Sequence, residues 1–288
     1  MVFFESAPAK ITLSVDVLGK RDDGYHDVEM VMTTVDLADR VALSSLNGDR
    51  IDVSADNQYV PNDERNLAFK AALALKNKYH LTRGVRIDIE KNIPVSAGLG
   101  GGSSDAAAVL RGLNKLWKLN LSLEELAEIG AGIGSDVPFC VYGSTALAKG
   151  RGEIIEEIPP PPVKWAILAK PNIGVSTRVV FNQLEIENLP HPNTTKILDA
   201  IAEQDFYKLC NHVGNVLETV TTSLFPNVQR IKEKMTQAGA NGVLMSGSGP
   251  TIVGLVEHQY KAIRIYNGLR GFCDEVYVVR VIGHSNTC

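Results

Sequence analysis

The stretch of sequence that decides the fold is PVSAGLGGGSSDAA, residues 94–107. Its four glycines, Gly98, Gly100, Gly101 and Gly102, stand just before a segment with helically spaced apolar residues. Because glycine has no Cβ, backbone N–H groups in such a loop can approach an anion closely. The helix that follows adds unpaired N–H donors and the positive end of its dipole. The segment therefore predicts a loop that holds a di- or triphosphate rather than a plain flexible turn.

This loop differs from two other phosphate-binding motifs. No Lys-Ser or Lys-Thr pair closes it, as in a Walker A loop, and the glycines lack the G-x-G-x-x-G spacing of dinucleotide-binding folds. Ser103 and Ser104 add two hydroxyl donors at its end.

The composition is that of an ordinary globular protein. The 288 residues are 44% hydrophobic and 22% charged, and at about 150 residues per domain the length suggests two domains. A net charge of -4 argues against a broad electrostatic grip on nucleic acid or an anionic membrane. The apolar runs are too short to span a bilayer, and the N-terminus lacks a signal-peptide pattern. The sequence predicts a cytoplasmic protein.

Metal binding by cysteine or histidine is not expected. The four cysteines form no C-x-x-C pair and the six histidines no H-x-x-x-H pair, so we predict neither a zinc site nor a disulfide framework. We expect small buried thiols at three positions and one thiol, Cys288, at the C-terminus.

A run of four prolines, Pro159 to Pro162, predicts a boundary between domains. Consecutive prolines cannot continue a helix or a central strand, so they form a stiff connector. We predict an N-terminal domain over residues 1–158 and a C-terminal domain over residues 163–288. A surface loop inside one domain is the alternative interpretation.

Apolar periodicity predicts a mixture of strands and helices without a strict βαβ rhythm, which indicates the α+β class. We expect strands at residues 85–89, 165–169, 243–245, 251–256 and 275–281. We expect helices at residues 66–79, 105–117, 195–203, 206–224, 228–238 and 260–269, and one that begins with a Ser122–Glu125 capping box.

Three further segments each have a plain structural interpretation when taken alone. In PAKITL, residues 8–13, a strand lysine would face solvent. In GSDVPF, residues 134–139, Ser135 or Asp136 before Pro138 would start a helix. In MSGSGPT, residues 245–251, the glycines would form a hairpin turn.

Together with the glycine loop, these segments resemble the GHMP kinase superfamily, named for galactokinase, homoserine, mevalonate and phosphomevalonate kinases. RDDGYH at residues 21–26, GSDVPF and AKP at residues 169–171 are similar to the branch that acts on a cytidine-linked erythritol in non-mevalonate isoprenoid synthesis. The resemblance runs from about Phe3 to Val281. It implies a two-domain α+β fold, with an N-terminal ATP domain that shares the topology of a ribosomal-protein domain and a C-terminal α+β domain.

The resemblance also implies the chemistry. ATP would phosphorylate the 2-hydroxyl of 4-diphosphocytidyl-2-C-methyl-D-erythritol, with Mg²⁺ accompanying the ATP and no protein ligand assigned to the metal. The partners would be these small molecules, without nucleic acid or membrane, and the chain would be a monomer or a homodimer.

Individual residues receive roles from the same resemblance. Asp136 would take or orient the proton of the attacking hydroxyl, and Lys10 beside it would hold the carboxylate ionised and offset charge near the phosphoryl group. ATP would contact Pro94, Val95, Ser96, Ala97, Gly98, Leu99, Gly100, Gly101, Gly102, Ser103, Ser104, Asn66, Leu67 and Lys91.

The substrate would contact Tyr25, His26, Phe181, Thr12 and Thr177. Tyr25 and Phe181 would stack on the two faces of the cytosine, and His26 would hydrogen-bond its edge. Phe181 ends a segment, residues 175–181, that resembles the family's base-binding strand and turn. Thr12 stands where the family often has Asn, and its hydroxyl has a shorter reach.

Three alternatives remain open at this point. Another GHMP kinase, of the mevalonate or homoserine type, would not need the nucleobase-binding Tyr25, His26 and Phe181. A nucleic-acid-binding module would need a basic stripe, which the sequence lacks. A catalytically inactive nucleotide sensor would not need both Lys10 and Asp136.

Overall fold

The strands and helices were located in a computed structural model that describes residues 2–187 and 189–283. Their contacts separate into two units, each built from several stretches of chain. The first unit contains the described residues within Met1–Ala9, Leu37–Val95 and Gly100–Gly143, and the second those within Lys10–Asp36, Ser96–Leu99 and Ser144–Cys288. The four prolines lie inside the second unit, and the division into residues 1–158 and 163–288 stays a prediction.

Two long strands, β1 (Val2–Lys20) and β2 (His26–Leu46), contribute residues to both units. The first unit also contains β3 (Ile51–Ala55), α1 (Leu67–Lys78), β4 (Gly84–Glu90), α2 (Gly101–Trp117), α3 (Leu123–Ala131) and α4 (Val137–Tyr142). β4 pairs antiparallel with β2 and parallel with β3. Val85, Ile87 and Ile89 of β4 are buried, which confirms the strand predicted from their alternation.

The second unit contains β5 (Thr145–Lys149), β6 (Ile154–Glu157), β7 (Trp165–Lys170), α5 (Thr177–Asn182), α6 (Thr194–Ala202), α7 (Phe206–His212), β8 (Gly214–Asn215), α8 (Glu218–Leu224), α9 (Pro226–Gln237), β9 (Gly242–Met245), β10 (Ile252–Val256), α10 (Gln259–Leu269) and β11 (Glu275–Arg280). Strands β11-β7-β10-β9 form an antiparallel sheet in that order. All five residues of β10 are buried, so this strand runs through the core of the unit.

Most of the predicted elements are confirmed, and with them the α+β class. The reciprocal hydrogen bonds of Ser122 and Glu125 start α3 as the capping box predicts. α2 begins at Gly101 instead of Asp105, because the last glycines of the loop themselves adopt the first turn of the helix.

The single helix predicted over residues 206–224 is wrong. The chain leaves the helical region at Val213 (φ −59°, ψ 140°), and Gly214 and Asn215 then pair in parallel with Ser14 and Val15 of β1. Helical propensity is overridden here by hydrogen bonds to residues far away in the sequence.

Three cysteines, Cys140, Cys210 and Cys273, are buried as expected, and Cys288 lies outside the described residues. Burial raises the pKa of the Cys210 thiol to about 12, so it is protonated at neutral pH. Within residues 2–187 and 189–283, no helix combines the length and apolarity needed to cross a bilayer.

Candidate active site

The glycine loop turns into α2 through backbone conformations that favour glycine. Gly98 has a φ of +74° and Gly100, the N-cap of α2, a φ of +68°. The first intrahelical bond runs from the Ser104 N–H to the Gly100 carbonyl, at 2.8 Å. The N–H groups of the preceding helical residues, 101–103, have no intrahelical acceptor, which suits an anion at this end of the helix.

Gly98 also lies against the segment 246–250, here called the second glycine loop. A Cβ on Gly98 would come within 2.2 Å of the Ser246 carbonyl oxygen and 3.0 Å of the Gly249 carbonyl oxygen. The Ser246 hydroxyl donates to the Gly98 carbonyl at 2.9 Å. No side chain larger than hydrogen fits at residue 98 without moving the backbone of the second glycine loop.

β1 is bound to the same two loops. The Lys10 N–H donates to the Leu99 carbonyl at 3.0 Å, and the Gly247 N–H donates to the Thr12 hydroxyl at 3.0 Å. The side chain of Thr12 is fully buried, and its hydroxyl accepts this hydrogen bond from the second glycine loop. Its predicted contact with the erythritol stays a prediction.

Lys10 is 3% exposed, so the interpretation of a strand lysine that faces solvent is wrong. Its Nζ lies 3.3 Å from the position that a Cβ on Gly247 would occupy. The ammonium group is thus held beside a loop of backbone amides in the second unit.

Asn215 anchors the second glycine loop from the other side. Its buried side-chain amide donates to the carbonyl oxygens of Met245, at 2.8 Å, and Gly247, at 2.7 Å. Sequence analysis missed this residue because an apolar helical pattern surrounds it. The Gly214-Asn215 pair was the available signal, since both residues are common at helix breaks.

Asp136 lies in the first unit, at the start of α4. It is the N-cap residue (φ −83°, ψ −9°), but its side chain makes no capping hydrogen bond, and Pro138 occupies the first turn. The far end of α4 is held by Arg111, whose buried guanidinium donates to the Cys140 carbonyl at 2.7 Å. The carboxylate is therefore carried by a short helix that is fixed at its C-terminal end.

Two of the three side chains predicted to hold the base, those of His26 and Phe181, lie together in the second unit. The His26 and Phe181 rings have centroids 5.2 Å apart and an interplanar angle of 38°. Phe181 lies on helix α5, so the predicted strand and turn is wrong at this segment. Val180 is fully buried and anchors this helix, so packing overrides the β propensity of Val179 and Val180. Thr177 of α5 is 2.9 Å from Ser248, hydroxyl to hydroxyl.

His26 is suited to hydrogen bonding as a neutral ring. Burial, helped by the charge of Lys20, lowers its pKa. A neutral imidazole has one N–H donor and one acceptor nitrogen, whereas the protonated ring has two donors.

The other residues predicted to bind ATP have different surroundings. Leu67 Cδ1 lies 3.6 Å from the position of a Cβ on Gly102, beside the glycine loop. Asn66 caps α1, with its side-chain oxygen accepting from the Ala68 N–H. The Ser104 hydroxyl is fully buried and donates to the Pro8 carbonyl at 2.8 Å. The side-chain oxygens of Asn66 and Ser104 both make hydrogen bonds within the protein. Their predicted contacts with ATP stay predictions.

Lys91 lies in a buried cluster with two aspartates. Its ammonium pairs with Asp39 and, at 2.6 Å, with Asp105, and all three side chains are at most 3% exposed. Burial opposes the charge of Lys91, but attraction by Asp105 and Asp39 outweighs it and raises the pKa of the lysine. Its adenine contact stays a prediction. Sequence analysis missed Asp39 and Asp105, because residues so far apart along the chain give no local signal.

The same cluster perturbs Asp105. Burial, together with repulsion by Asp39, outweighs attraction by Lys91 and raises the pKa of Asp105 to about 7. Its Oδ1 is buried and has no hydrogen-bond partner among the described residues.

Two family descriptions match the chain. "GHMP kinases N terminal domain" matches residues 66–144, which include the glycine loop and Asp136. "GHMP kinases C terminal" matches residues 197–275, which include the second glycine loop.

Curated relatives match the whole length. The 4-diphosphocytidyl-2-C-methyl-D-erythritol kinase of Bacillus cereus is 59% identical over 287 residues, which cover 100% of this chain and 99% of that protein. The protein of the same name from Bacillus pumilus is 59% identical over 286 residues, 99% of each chain.

Solved structures agree with these matches. A crystal structure of 4-(cytidine 5'-diphospho)-2C-methyl-D-erythritol kinase has a TM-score of 0.82 at 33% identity, covering 97% of this chain and 99% of that one. The homoserine kinase of Cytophaga hutchinsonii, at 21% identity, a TM-score of 0.77 and coverage of 98% and 96%, shares the fold. Both domains of the predicted GHMP architecture are confirmed, and the chain belongs to the GHMP kinases, in the family of the 4-diphosphocytidyl-2-C-methyl-D-erythritol kinases.

Proposed function

We propose that this protein transfers the γ-phosphoryl group of ATP to the 2-hydroxyl of 4-diphosphocytidyl-2-C-methyl-D-erythritol, a step of non-mevalonate isoprenoid synthesis. The observation that carries the proposal is 59% identity over the whole chain to curated kinases of that name. The glycine loop, Lys10, Asp136 and the aromatic cluster of His26 and Phe181 supply the chemistry that such a reaction needs.

The triphosphate is held by the glycine loop and the start of α2. The left-handed Gly100 and the N–H groups at residues 101–103, which have no intrahelical acceptor, fit phosphate oxygens. Magnesium, when bound, would neutralise charge that develops on the transferred phosphoryl group. Among the described residues there is no group of three His, Cys, Asp or Glu side chains that could hold a metal.

Asp136 receives or orients the proton of the attacking 2-hydroxyl. Phosphoryl transfer passes through a loose transition state, so a weakly basic carboxylate in the right position is sufficient. Lys10 places a positive charge beside the second glycine loop, where it stabilises negative charge near the transferred group.

The cytidine is recognised by aromatic and hydrogen-bonding side chains. Tyr25 and Phe181 stack on the base, and neutral His26 hydrogen-bonds the edge of the cytosine. Thr177, on the same helix as Phe181, would contact the substrate with a hydroxyl that lies 2.9 Å from that of Ser248. We expect the protein to act in the cytoplasm as a monomer or homodimer, with neither nucleic acid nor membrane as partner.

The experiment is incubation with ATP, Mg²⁺ and a panel of alcohols, with release of ADP as the readout. The panel contains the cytidine-linked erythritol, the same erythritol phosphate without cytidine, mevalonate and homoserine. We expect turnover with the first compound alone. Comparable turnover with mevalonate or homoserine would reassign the substrate, and ATP hydrolysis without an acceptor would contradict the proposal.

A further inference from the structure

Arg151 is a charged side chain beside the predicted base site, and the reaction proposed above gives it no role. It lies in the turn after β5, where the Gly152 N–H donates to the Lys149 carbonyl at 3.0 Å. The carbon at the centre of its guanidinium lies 5.0 Å from the centroid of the Tyr25 ring. This distance is within the range of about 6 Å over which a cation is attracted to an aromatic face.

The structure holds Arg151 in place independently of Tyr25. The Glu153 carboxylate accepts from the backbone N–H of Arg151 at 2.6 Å and from its Nε at 3.4 Å. The turn itself is bound to β2, because the Val28 N–H donates to the Gly150 carbonyl at 2.7 Å. Arg151 is thus fixed relative to the strand that begins with His26.

Tyr25 has a fixed backbone and an exposed ring. Its N–H donates to Asp23 Oδ1 at 3.0 Å, and its carbonyl accepts from the Arg21 N–H at 2.8 Å. The residue is nevertheless 53% exposed, so little packing restrains its side chain. A ring in this situation exchanges between rotamers unless a neighbour favours one of them. Arg151, which lies over one face, is such a neighbour.

The charge of Arg151 is already balanced. Glu153 pairs with it directly. The Asp23 carboxylate also interacts with the charge of Arg151. The hydrogen bond from the Tyr25 amide lowers the pKa of Asp23 most, and the charges of Arg21 and Arg151 lower it further. A guanidinium that faces two carboxylates attracts a diphosphate weakly, so a contact with the phosphates explains its position less well than the contact with Tyr25 does.

We infer that Arg151 is a positioning residue, which holds the Tyr25 ring with one face covered and the other face ready to stack on the cytosine. This inference rests on the proposed function, because it assumes a pyrimidine nucleotide beside Tyr25. Fixing the ring before binding lowers the entropy cost of ordering it in the complex. Arg151 therefore contributes to selection of the cytidine-linked substrate without touching the reacting atoms.

A double-mutant cycle tests the inference. Arg151→Met and Arg151→Lys are compared with the wild type, and Arg151→Met is repeated in a Tyr25→Ala background. We expect Arg151→Met to raise the KM for the cytidine-linked substrate about 3- to 10-fold, as for loss of a partly exposed cation–π contact. The KM for ATP should change less than about twofold, and Arg151→Lys should recover part of the loss because it keeps the cation. In the Tyr25→Ala background, Arg151→Met should have no further effect.

The control is Arg86→Met. Arg86 pairs with Asp88, two residues further along the chain, as Arg151 pairs with Glu153, but it lies on β4 in the first unit. Its substitution should leave both KM values unchanged. Melting temperatures of all variants exclude unfolding as the cause of any KM change.

The opposing results are distinct. An equal rise in KM on Arg151→Met in the Tyr25→Ala background would show that Arg151 contacts the substrate itself. No rise in the wild-type background would show that Arg151 has no role. Either result overturns the inference.

The Kd for cytidine 5'-diphosphate, measured by calorimetry on the same variants, separates this inference from the proposed function. A wild type that binds this nucleotide without phosphorylating the erythritol would overturn the proposed function alone. A wild type that binds neither cytidine 5'-diphosphate nor the cytidine-linked erythritol would overturn both the inference and the proposed function.

Discussion

Lys10 and Asp136 acquire their proposed roles through their immediate surroundings. Lys10 is buried beside the second glycine loop, where its positive charge can stabilise a nearby anion. Asp136 occupies an N-cap without using its side chain for the cap. The burial of Lys10 and the missing capping bond of Asp136 are the local observations that accompany their proposed roles.

Asp136→Asn should lower kcat by about 10²–10⁴-fold, the usual effect of losing a positioned base. The fold and the Kd for an ATP analogue should be unchanged, because Asn has nearly the same shape and the Asp136 side chain makes no capping bond that could be lost. Asp205→Asn is the matched control, since Asp205 is the N-cap of α7 and does use its side chain, toward the Lys208 N–H. A folded Asp136→Asn protein with more than a tenth of the wild-type kcat would remove Asp136 from catalysis.

The stability of the Asp105→Asn variant relative to the wild type should increase as the pH rises. The pKa of Asp105 is raised to about 7 in the folded state, so between about pH 4 and pH 7 the folded protein binds a proton that the unfolded chain has released. Wild-type stability therefore falls as pH rises through this window, and Asn removes that contribution.

The difference in the free energy of unfolding, variant minus wild type, should increase by about 1–3 kcal/mol between pH 5 and pH 8. Urea denaturation at pH 5, 6, 7 and 8 measures it. A constant or decreasing difference would mean that Asp105 is ionised throughout this range in the folded protein. Asp88→Asn, at a half-exposed position on β4, provides the control.

At the scale of elements, β1, the segment 96–99 and the second glycine loop form one hydrogen-bonded assembly. Ser246, Thr12 and Lys10 each contribute one of its bonds. Asn215 supports the loop from β8 through two carbonyl oxygens. The proposed phosphate-binding loop is thereby fixed on its N-terminal side by parts of the chain that are distant in sequence.

Gly98→Ala should destabilise this assembly. A positive φ costs an L-residue about 1–2 kcal/mol, and the added Cβ would overlap the Ser246 carbonyl oxygen. We expect the melting temperature to fall by about 5 °C or more and the KM for ATP to rise. Gly268→Ala, in α10 with no atom within 4 Å of the new Cβ, should be neutral or slightly stabilising. If both variants melted like the wild type, residue 98 would not need glycine.

Asn215→Ala should leave two buried carbonyl groups without donors and cost about 2–4 kcal/mol of stability. It should also lower kcat/KM at least about tenfold, because the second glycine loop loses its anchor. Asn114→Ala is the control, since the Asn114 side chain also makes two hydrogen bonds to backbone, donating to the Leu121 carbonyl and accepting from the Leu121 N–H. Equal loss of kcat/KM in both variants, measured well below their melting temperatures, would show a general effect of stability.

Local chemistry explains which elements could be predicted from the sequence. The capping box of α3, the alternation in β4 and the glycine run before α2 are each complete within a few residues, and all three are confirmed. The break at Gly214 and the helix at Phe181 depend on packing against distant residues, and both predictions were wrong.

At the scale of the whole molecule, the units follow from two strands of unusual length. β1 and β2 each contribute residues to both units, so each unit collects stretches from several parts of the chain. Because the units are interleaved, no shift in composition along the sequence marks where one ends and the other begins. The proline run at residues 159–162 was the local sequence feature that suggested a domain boundary. The family was predictable all the same, because its motifs are short, local and dense in glycine.

Phosphorus NMR of the reaction mixture tests the central claim most directly, since it identifies the atom that receives the phosphoryl group. After incubation of the wild type with ATP, Mg²⁺ and the cytidine-linked erythritol, we expect one new monoester signal on the 2-hydroxyl. The diphosphate signals of the substrate should be retained and one ADP should form per monoester. Consumption of ATP that yields inorganic phosphate, or a monoester at another hydroxyl, would contradict the account.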